Sequence, residues 1–274
     1  MKYLELSTQI KSKNNDLTEI IIAYLSQLGF YSFLEDDNKL FAYIFEKDFD
    51  KIKTKKILDN FKLKYEINNI PEKNWDEEWE NNYKPVVLDD ILFIRAPFHK
   101  PDNNIKHEII IEPKMPFGTG HHETTFLMCK LLSELKIKDF SVLDIGCGTG
   151  ILSVFSSKLG ADLITAIDID GIACAGSIEN SKINNCKNIE VIKGDVYSIK
   201  NKTYDIILAN ITFNVILHDI REYAKKLKSK GMLILSGFYS NESDEIKRAC
   251  KNFGLIFAKE IDKNNWAGMV FIKK

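Results

Sequence analysis

Cysteine is scarce in this 274-residue chain, and the five present, at 129, 147, 174, 186 and 250, include no C-x-x-C pair. An odd count without that spacing argues against a disulfide framework and a zinc ribbon, and leaves small buried packing residues as the reading for most of them. A charge excess of either sign is also lacking: 38 Lys plus Arg stand against 39 Asp plus Glu, a formal net charge of -1. The chain as a whole therefore lacks the footprint of a dedicated nucleic-acid binder, and no sequence-specific nucleic acid is expected among its partners. No apolar run approaches the roughly 18 residues of a membrane span. Glu5 interrupts MKYLELSTQI where a signal peptide needs an apolar core, so a cytoplasmic protein with no membrane partner is expected. Internal repeats and low-complexity tracts are missing too. What is abundant is core material, 45% hydrophobic residues, ample for one large domain or two unequal ones.

Residues 3–10 alternate as a short strand, and Leu17, Ile20, Ile21, Tyr24, Leu25 and Leu28 recur at helical spacing until Gly29 supplies a stop. Phe30 to Leu34 and Leu40 to Phe45 read as strands around a polar turn, followed by a helical pattern through Ile52, Ile57, Leu58 and Phe61 and a strand near Tyr65 to Ile67. The order βαββαβ predicts a small ferredoxin-like α+β domain over residues 1–70. Residues 71–82 are expected to be a linker, with Trp75 and Trp79 four residues apart on a short amphipathic helix.

From about residue 83 to 274 the texture changes. After strand-like pieces at Ile91 to Ala96 and Lys106 to Ile111, apolar strands at Val142 to Ile145, Leu163 to Ile167, Ile189 to Ile192, Ile206 to Ala209 and Leu233 to Leu235 are separated by helix-length segments. Such βα alternation predicts a parallel sheet covered on both faces. Leu255 to Ile261 and Gly268 to Ile272, joined by the turn Asp262 to Asn265, permit only an antiparallel hairpin. The expectation is α/β: a Rossmann-like, seven-stranded, mostly parallel sheet with one reversed strand.

The segment SVLDIGCGTGILSVFSSKLGA, Ser141 to Ala161, is an apolar strand ending in Asp144, glycines at 146, 148 and 150, and then a helical pattern. Ligands in open α/β sheets sit beyond the carboxyl ends of strands, and glycines there let backbone approach them closely. The spacing G-x-G-x-G is not the dinucleotide-binding G-x-G-x-x-G, and the preceding acid would repel a pyrophosphate, so a cationic or neutral nucleoside fits better. Asp168 closes the next strand, where a carboxylate can accept hydrogen bonds from both hydroxyls of a ribose.

This arrangement resembles the class I, Rossmann-like, S-adenosylmethionine-dependent methyltransferases, and the resemblance implies that Asp144 serves the methionine end of the cofactor and Asp168 its ribose. Together with MPFGTGHHETTFLMCKLL at 115–132, LANITFNVI at 208–216, LILSGFY at 233–239 and the W-x-x-x-W before a Pro in NWDEEWENNYKPVV, nearly the whole chain is similar to the ribosomal protein L11 methyltransferase (PrmA) family. That resemblance implies an enzyme that transfers methyl groups from S-adenosylmethionine to lysine side chains, the N-terminal amine or both of ribosomal protein L11, free or in the large subunit. It further implies a substrate-recognising amino-terminal domain, and cofactor contacts at Thr125, Gly146, Asp168 and Asn210. A monomer is expected.

Read without the resemblance, Thr124 and Thr125 can cap the helix that follows or present a hydroxyl to ligand, and Gly118 and Gly120 let the preceding loop fold over a site as a lid. His121, His122 and Glu123 lack the i, i+4 spacing of H-E-x-x-H, so no metal is expected. Asn210, closing the fourth parallel strand, offers an amide oxygen that can orient an attacking amine. Cys147 has no histidine partner in its turn and reads as a packing residue. No general base emerges. The basic runs Lys51, Lys53, Lys55, Lys56 and Lys225, Lys226, Lys228, Lys230 read as solvated helix faces, the first with a docking role as its alternative. Two rival functions stand beside the main one. The enzyme rival is a class I methyltransferase acting on another protein or on a nucleic-acid base; the latter usually carries a D/N-P-P-Y motif, whereas Asn210, Ile211, Thr212, Phe213 has neither proline. A non-catalytic binding protein on a degenerate fold would not need the intact glycines and both acids.

Overall fold

The computed structural model describes residues 3–10, 15–36, 39–70, 83–102, 104–113 and 120–274. The chain divides into two compact units, Met1–Tyr83 and Lys84–Lys274. The expected tryptophan linker, including Trp75 and Trp79, lies outside the described residues.

In the first unit the elements are β1 (Tyr3–Gln9), α1 (Asn15–Gln27), β2 (Ser32–Asp36), β3 (Lys39–Phe45), α2 (Lys51–Asn60) and β4 (Tyr65–Ile70). They form a four-stranded sheet in the order β2-β3-β1-β4, each neighbouring pair antiparallel. Period-two alternation sends Leu4, Leu6, Leu40, Ala42 and Ile44 to one face, where they bury against Ile21 and Leu25 of α1 and Leu58 of α2. Ile21 and Leu25 meet the sheet because residues four apart share a helix face. α2 starts where Asp50 accepts from the amides of Ile52 at 3.1 Å and Lys53 at 3.0 Å, satisfying two of its free amino-terminal donors.

The second unit opens with β5 (Val86–Leu88), β6 (Leu92–Arg95) and β7 (His107–Ile110), a separate three-stranded sheet. Then follow α3 (Glu123–Ser133), β8 (Ser141–Ile145), α4 (Ile151–Lys158), β9 (Leu163–Asp168), α5 (Gly171–Ile183), β10 (Ile189–Lys193), β11 (Tyr204–Asn210), α6 (Phe213–Lys226), β12 (Leu227–Tyr239), α7 (Ser243–Asn252), β13 (Leu255–Lys263) and β14 (Trp266–Lys273). The seven-stranded sheet runs β10-β9-β8-β11-β12-β14-β13, with β14 alone antiparallel to its neighbours. Successive residues of β11 bury into opposite layers: Ile207 and Ala209 with Ile216 and Ile220 of α6, Ile206 and Leu208 with Met128 of α3 and Phe155 of α4. Such double coverage explains why these strands read as unbroken apolar runs.

Two local expectations are corrected and one strand is added. Lys228 and Lys230 lie on β12, not on a helix, because α6 ends at Lys226 and the strand begins at Leu227. The hairpin turn shortens to Asn264 and Asn265, both at positive φ (49° and 68°), the pair of left-handed residues that a tight two-residue turn requires. Val86–Leu88 pairs with β6 although its three residues carry no readable period. Among the described residues, no helix is long and apolar enough to cross a membrane.

Candidate active site at the carboxyl edge of the large sheet

The chain runs outward from β8 through β9 to β10 and then returns to β11 on the other side of β8. Loops leaving β8 and β11 therefore diverge, and a crevice opens between them. The turn after β8 is pinned to β9, since the amides of Gly146 and Cys147 both donate to the Ile167 carbonyl, at 2.8 and 3.1 Å. Gly146 has φ +66°, and a Cβ there would lie 2.4 Å from Ile211 Cγ2, so only glycine lets this turn approach the end of β11. At Gly148 a Cβ would meet nothing within 4 Å, so that backbone faces open space.

Beyond β11, Ile211 donates its amide to Ser236 of β12 at 3.2 Å. Gly237 packs directly on it: a Cβ would fall 2.1 Å from the Ile211 carbonyl oxygen, at φ +98°. The resulting cleft, about 280 Å³, takes in Thr125, the turn from Gly146 to Gly148, Asn210 and, on its far side, His122 and Trp266, over an apolar floor of Ile151 and Leu152. Asn210 Nδ2 donates to Thr125 Oγ1 at 3.5 Å, a long hydrogen bond, and Thr125 is itself buried.

Thr125, Gly146 and Asn210 thus share one cleft, whereas Asp168 does not line it. Its carboxylate accepts from the Gly148 amide at 2.9 Å and from the Asp170 amide at 3.0 Å, holding the glycine turn from the β9 side. Asp144 is turned into the protein and fully buried, accepting from the Ser153 hydroxyl at 2.6 Å. Burial pushes its carboxyl up to about 6, against the lowering effect of that hydrogen bond. Burial, reinforced by Asp144 and Asp168, also holds the Cys147 thiol far above its usual range, which leaves a protonated, unreactive packing residue on the cleft wall.

The cap of α3 differs from expectation. His122, not a threonine, precedes its first turn, and its Nδ1 accepts from the Thr124 amide at 3.3 Å while lying 2.9 Å from the Thr124 hydroxyl. Glu123 accepts from Asn264 at 2.9 Å and the His121 ring reaches the Lys84 carbonyl at 2.7 Å, so these three neighbours have separate partners. Residues 114–119, which carry the expected lid glycine Gly118, lie outside the described residues.

Sequence reasoning missed an aromatic wall. Trp266 stacks on Tyr239 with centroids 4.2 Å apart, and His122 meets Trp266 edge-on at 4.9 Å. Register explains the stack, because Tyr239 and Trp266 are opposite residues of β12 and β14. The pairing of β12 with β14, which brings them together, left no signal in the sequence.

Residues 7–274 match the family model described as ribosomal protein L11 methyltransferase (PrmA). A relative of that name from Phocaeicola vulgatus is 38% identical over 100% of both chains, and one from Porphyromonas gingivalis is 36% identical over 99% of this chain and 98% of its own. The solved structure of a ribosomal protein L11 methylase from Lactobacillus delbrueckii subsp. bulgaricus superposes with a TM-score of 0.65 at 26% identity, covering 70% of this chain and 100% of that one. With a glycine turn and a strand-terminal asparagine meeting at the switch point of a seven-stranded sheet, and with a match along almost its full length, this chain belongs to the ribosomal protein L11 methyltransferase family.

Proposed function

We propose that this protein is an S-adenosylmethionine-dependent methyltransferase that modifies amino groups of ribosomal protein L11, lysine side chains, the N-terminal amine or both, acting in the cytoplasm on L11 free or in the large subunit. The observation that carries the reading is the cleft itself: Thr125, Gly146 and Asn210 converge from three chain segments at the edge where α/β sheets bind ligands. The residues fit the cofactor's chemistry. A small cleft with apolar side chains, exposed turn backbone at Gly148, threonine hydroxyls and one amide suits a neutral or cationic group, and among the described residues no lysine or arginine lines it to attract a phosphate. Asp168 uses one lone pair of Oδ2 for the Gly148 amide and one of Oδ1 for the Asp170 amide, and keeps others for a ribose diol.

When bound, S-adenosylmethionine would supply a methyl group on a sulfonium centre, open to in-line displacement by an amine. The protein's share is alignment and exclusion of water. Thr125 and the Gly146 turn would hold the cofactor, and Asn210, whose Nδ2 is committed to Thr125, keeps its Oδ1 for an N–H of the incoming amine. The first unit we read as a ferredoxin-like substrate-recognition domain, supported by its βαββαβ order and the β2-β3-β1-β4 sheet.

Intact-mass spectrometry of L11 incubated with the protein and S-adenosylmethionine tests the function. Successive single-methyl increments are expected, and they should appear about a hundredfold more slowly with Asn210→Ala. Unmodified L11, both free and in large subunits, would overturn the substrate assignment.

A further inference from the structure

The sheet of the first unit has a second face that α1 and α2 do not cover. The covered face is mainly aliphatic, whereas the open one carries Tyr3, Phe41, Tyr43 and Phe45 among polar residues. Register places Tyr3, Glu5 and Ser7 of β1 opposite Phe45, Tyr43 and Phe41 of β3, and Leu34 of β2 opposite Phe41. The rings form a continuous cluster: Tyr3 lies 5.0 Å from Phe45, and Phe45 stacks on Tyr31 at 5.2 Å. Tyr31 and Leu34 are 53% and 54% exposed, an arrangement that costs a soluble domain water contact unless something uses it.

Among these rings sits one carboxylate. Glu5 accepts from the Tyr43 hydroxyl at 3.2 Å and the Asn68 amide at 3.4 Å, both neutral donors, and among the described residues no ammonium or guanidinium pairs with it. Asp36 and Glu66 share this outward face with one strand-borne ammonium, Lys39. The rings already attract a cation from the chain itself, since Lys47 Nζ lies 5.8 Å over the Phe45 centroid.

We propose that this face docks the protein substrate by taking one of its lysine or arginine side chains over the rings of Tyr3, Tyr43 and Phe45 and pairing it with Glu5, while Leu34 and Phe41 meet the apolar residues flanking that cation. The proposal rests on the substrate reading above: a protein modified on amines and built into an RNA particle presents a basic surface. Charge complementarity selects this occupant. Aromatics on the two central strands of a four-stranded sheet also suit single-stranded RNA, whose bases stack on rings. Phosphates, however, would meet the carboxylates of Glu5, Asp36 and Glu66 here, which outnumber the ammoniums of Lys39 and Lys47, and backbone neutralisation is what RNA affinity requires.

The test uses the full chain, and reads L11 binding by fluorescence anisotropy beside KM and kcat. Glu5→Lys should raise the KM and Kd for L11 about tenfold or more, and the near-isosteric Glu5→Gln about threefold, with kcat and cofactor affinity unchanged and the difference shrinking at high salt. Glu19→Lys makes the same charge change on α1, beyond the covered face, and should leave KM within twofold. Tyr3→Ala combined with Phe45→Ala should match Glu5→Lys if the rings hold the cation. An L11 KM within twofold of wild type in both Glu5 variants overturns the proposal. So does oligouridylate binding that the double ring variant abolishes while L11 affinity is retained. A wild-type protein that leaves L11 unmodified fails the substrate reading itself, whereas normal methylation by Glu5→Lys fails only this docking surface.

Discussion

In the first unit the sheet is buried on one face: β1 alternates half-buried and buried residues along its length, and its outward side chains stay available to a partner. In the second, Val142 to Ile145 of β8 and Ile206 to Ala209 of β11 are buried without interruption, because helices cover both faces. A doubly covered sheet has no free face to offer, and its chemistry is driven to the carboxyl edge, where the loops diverge. One fold principle therefore yields two kinds of surface, a broad one suited to recognition and a narrow one suited to positioning.

Separating the units tests that division most severely. A Lys84–Lys274 protein is expected to keep cofactor affinity within about threefold by calorimetry and to lose more than about a thousandfold in kcat/KM on L11, since remote binding energy goes with the missing unit. A separated unit that methylates L11 as fast as the full chain would assign the first unit another role.

Gly237→Ala probes the narrow surface at its tightest point. With a Cβ 2.1 Å from the Ile211 carbonyl oxygen and φ at +98°, the variant should lose more than about 3 kcal/mol of stability in chemical denaturation. An unchanged midpoint would show that β12 and the end of β11 can part without cost.

Asn210→Ala is expected to lower turnover about a hundredfold while cofactor affinity moves less than about threefold, as befits a group that orients the amine. Equal losses in both would make Asn210 a cofactor ligand only.

Asp144 supplies a pH signature that only the doubly covered sheet can have. Its carboxyl is raised from 3.8 to about 6 by burial, so the folded state holds the proton more tightly than the unfolded chain. Its contribution to stability is therefore fully present below about pH 4 and falls as pH rises through about 6, by roughly 3 kcal/mol. Asp144→Asn should match wild type in urea denaturation at acid pH and exceed it at pH near 8 by about that amount. A pH-independent difference would mean that the carboxylate is already compensated.

The smallest expected effect belongs to Asp168. Asp168→Ala should weaken S-adenosylmethionine binding about tenfold, part of it through the Gly148 turn that the carboxylate holds. Asp168→Asn keeps one acceptor oxygen for that turn and should fall between the two; affinity equal to wild type in both variants would leave the acid a purely local brace.

Much of this was legible along the chain. Gly146 and Asn210, which line one cleft, were legible as a glycine triplet and a strand end, because a turn that requires positive φ and a strand with both faces buried each leave a local trace. The start of β12 at Leu227 was not, since Lys228, Ser229 and Lys230 are polar and exposed. Nor was the capping of α3 by His122, which depends on one ring nitrogen reaching the Thr124 amide. Asp168 was identified as a site acid from its place at the end of β9, but its hold on Gly148 required knowing that β9 lies beside β8.

The amino-acid sequence by itself determined which segments are strands and helices, where the turns carry glycine, and which acids end strands, since torsional preference and burial period act between near neighbours. Tertiary structure alone decided that β8 lies beside β11 and β14 beside β12. Those pairings bring Gly146 against Ile211 and Trp266 onto Tyr239 and set Glu5 among rings drawn from β1 and β3. The physical reason is that contacts between residues far apart in the chain depend on how whole sheet faces find cover, a property of no single segment.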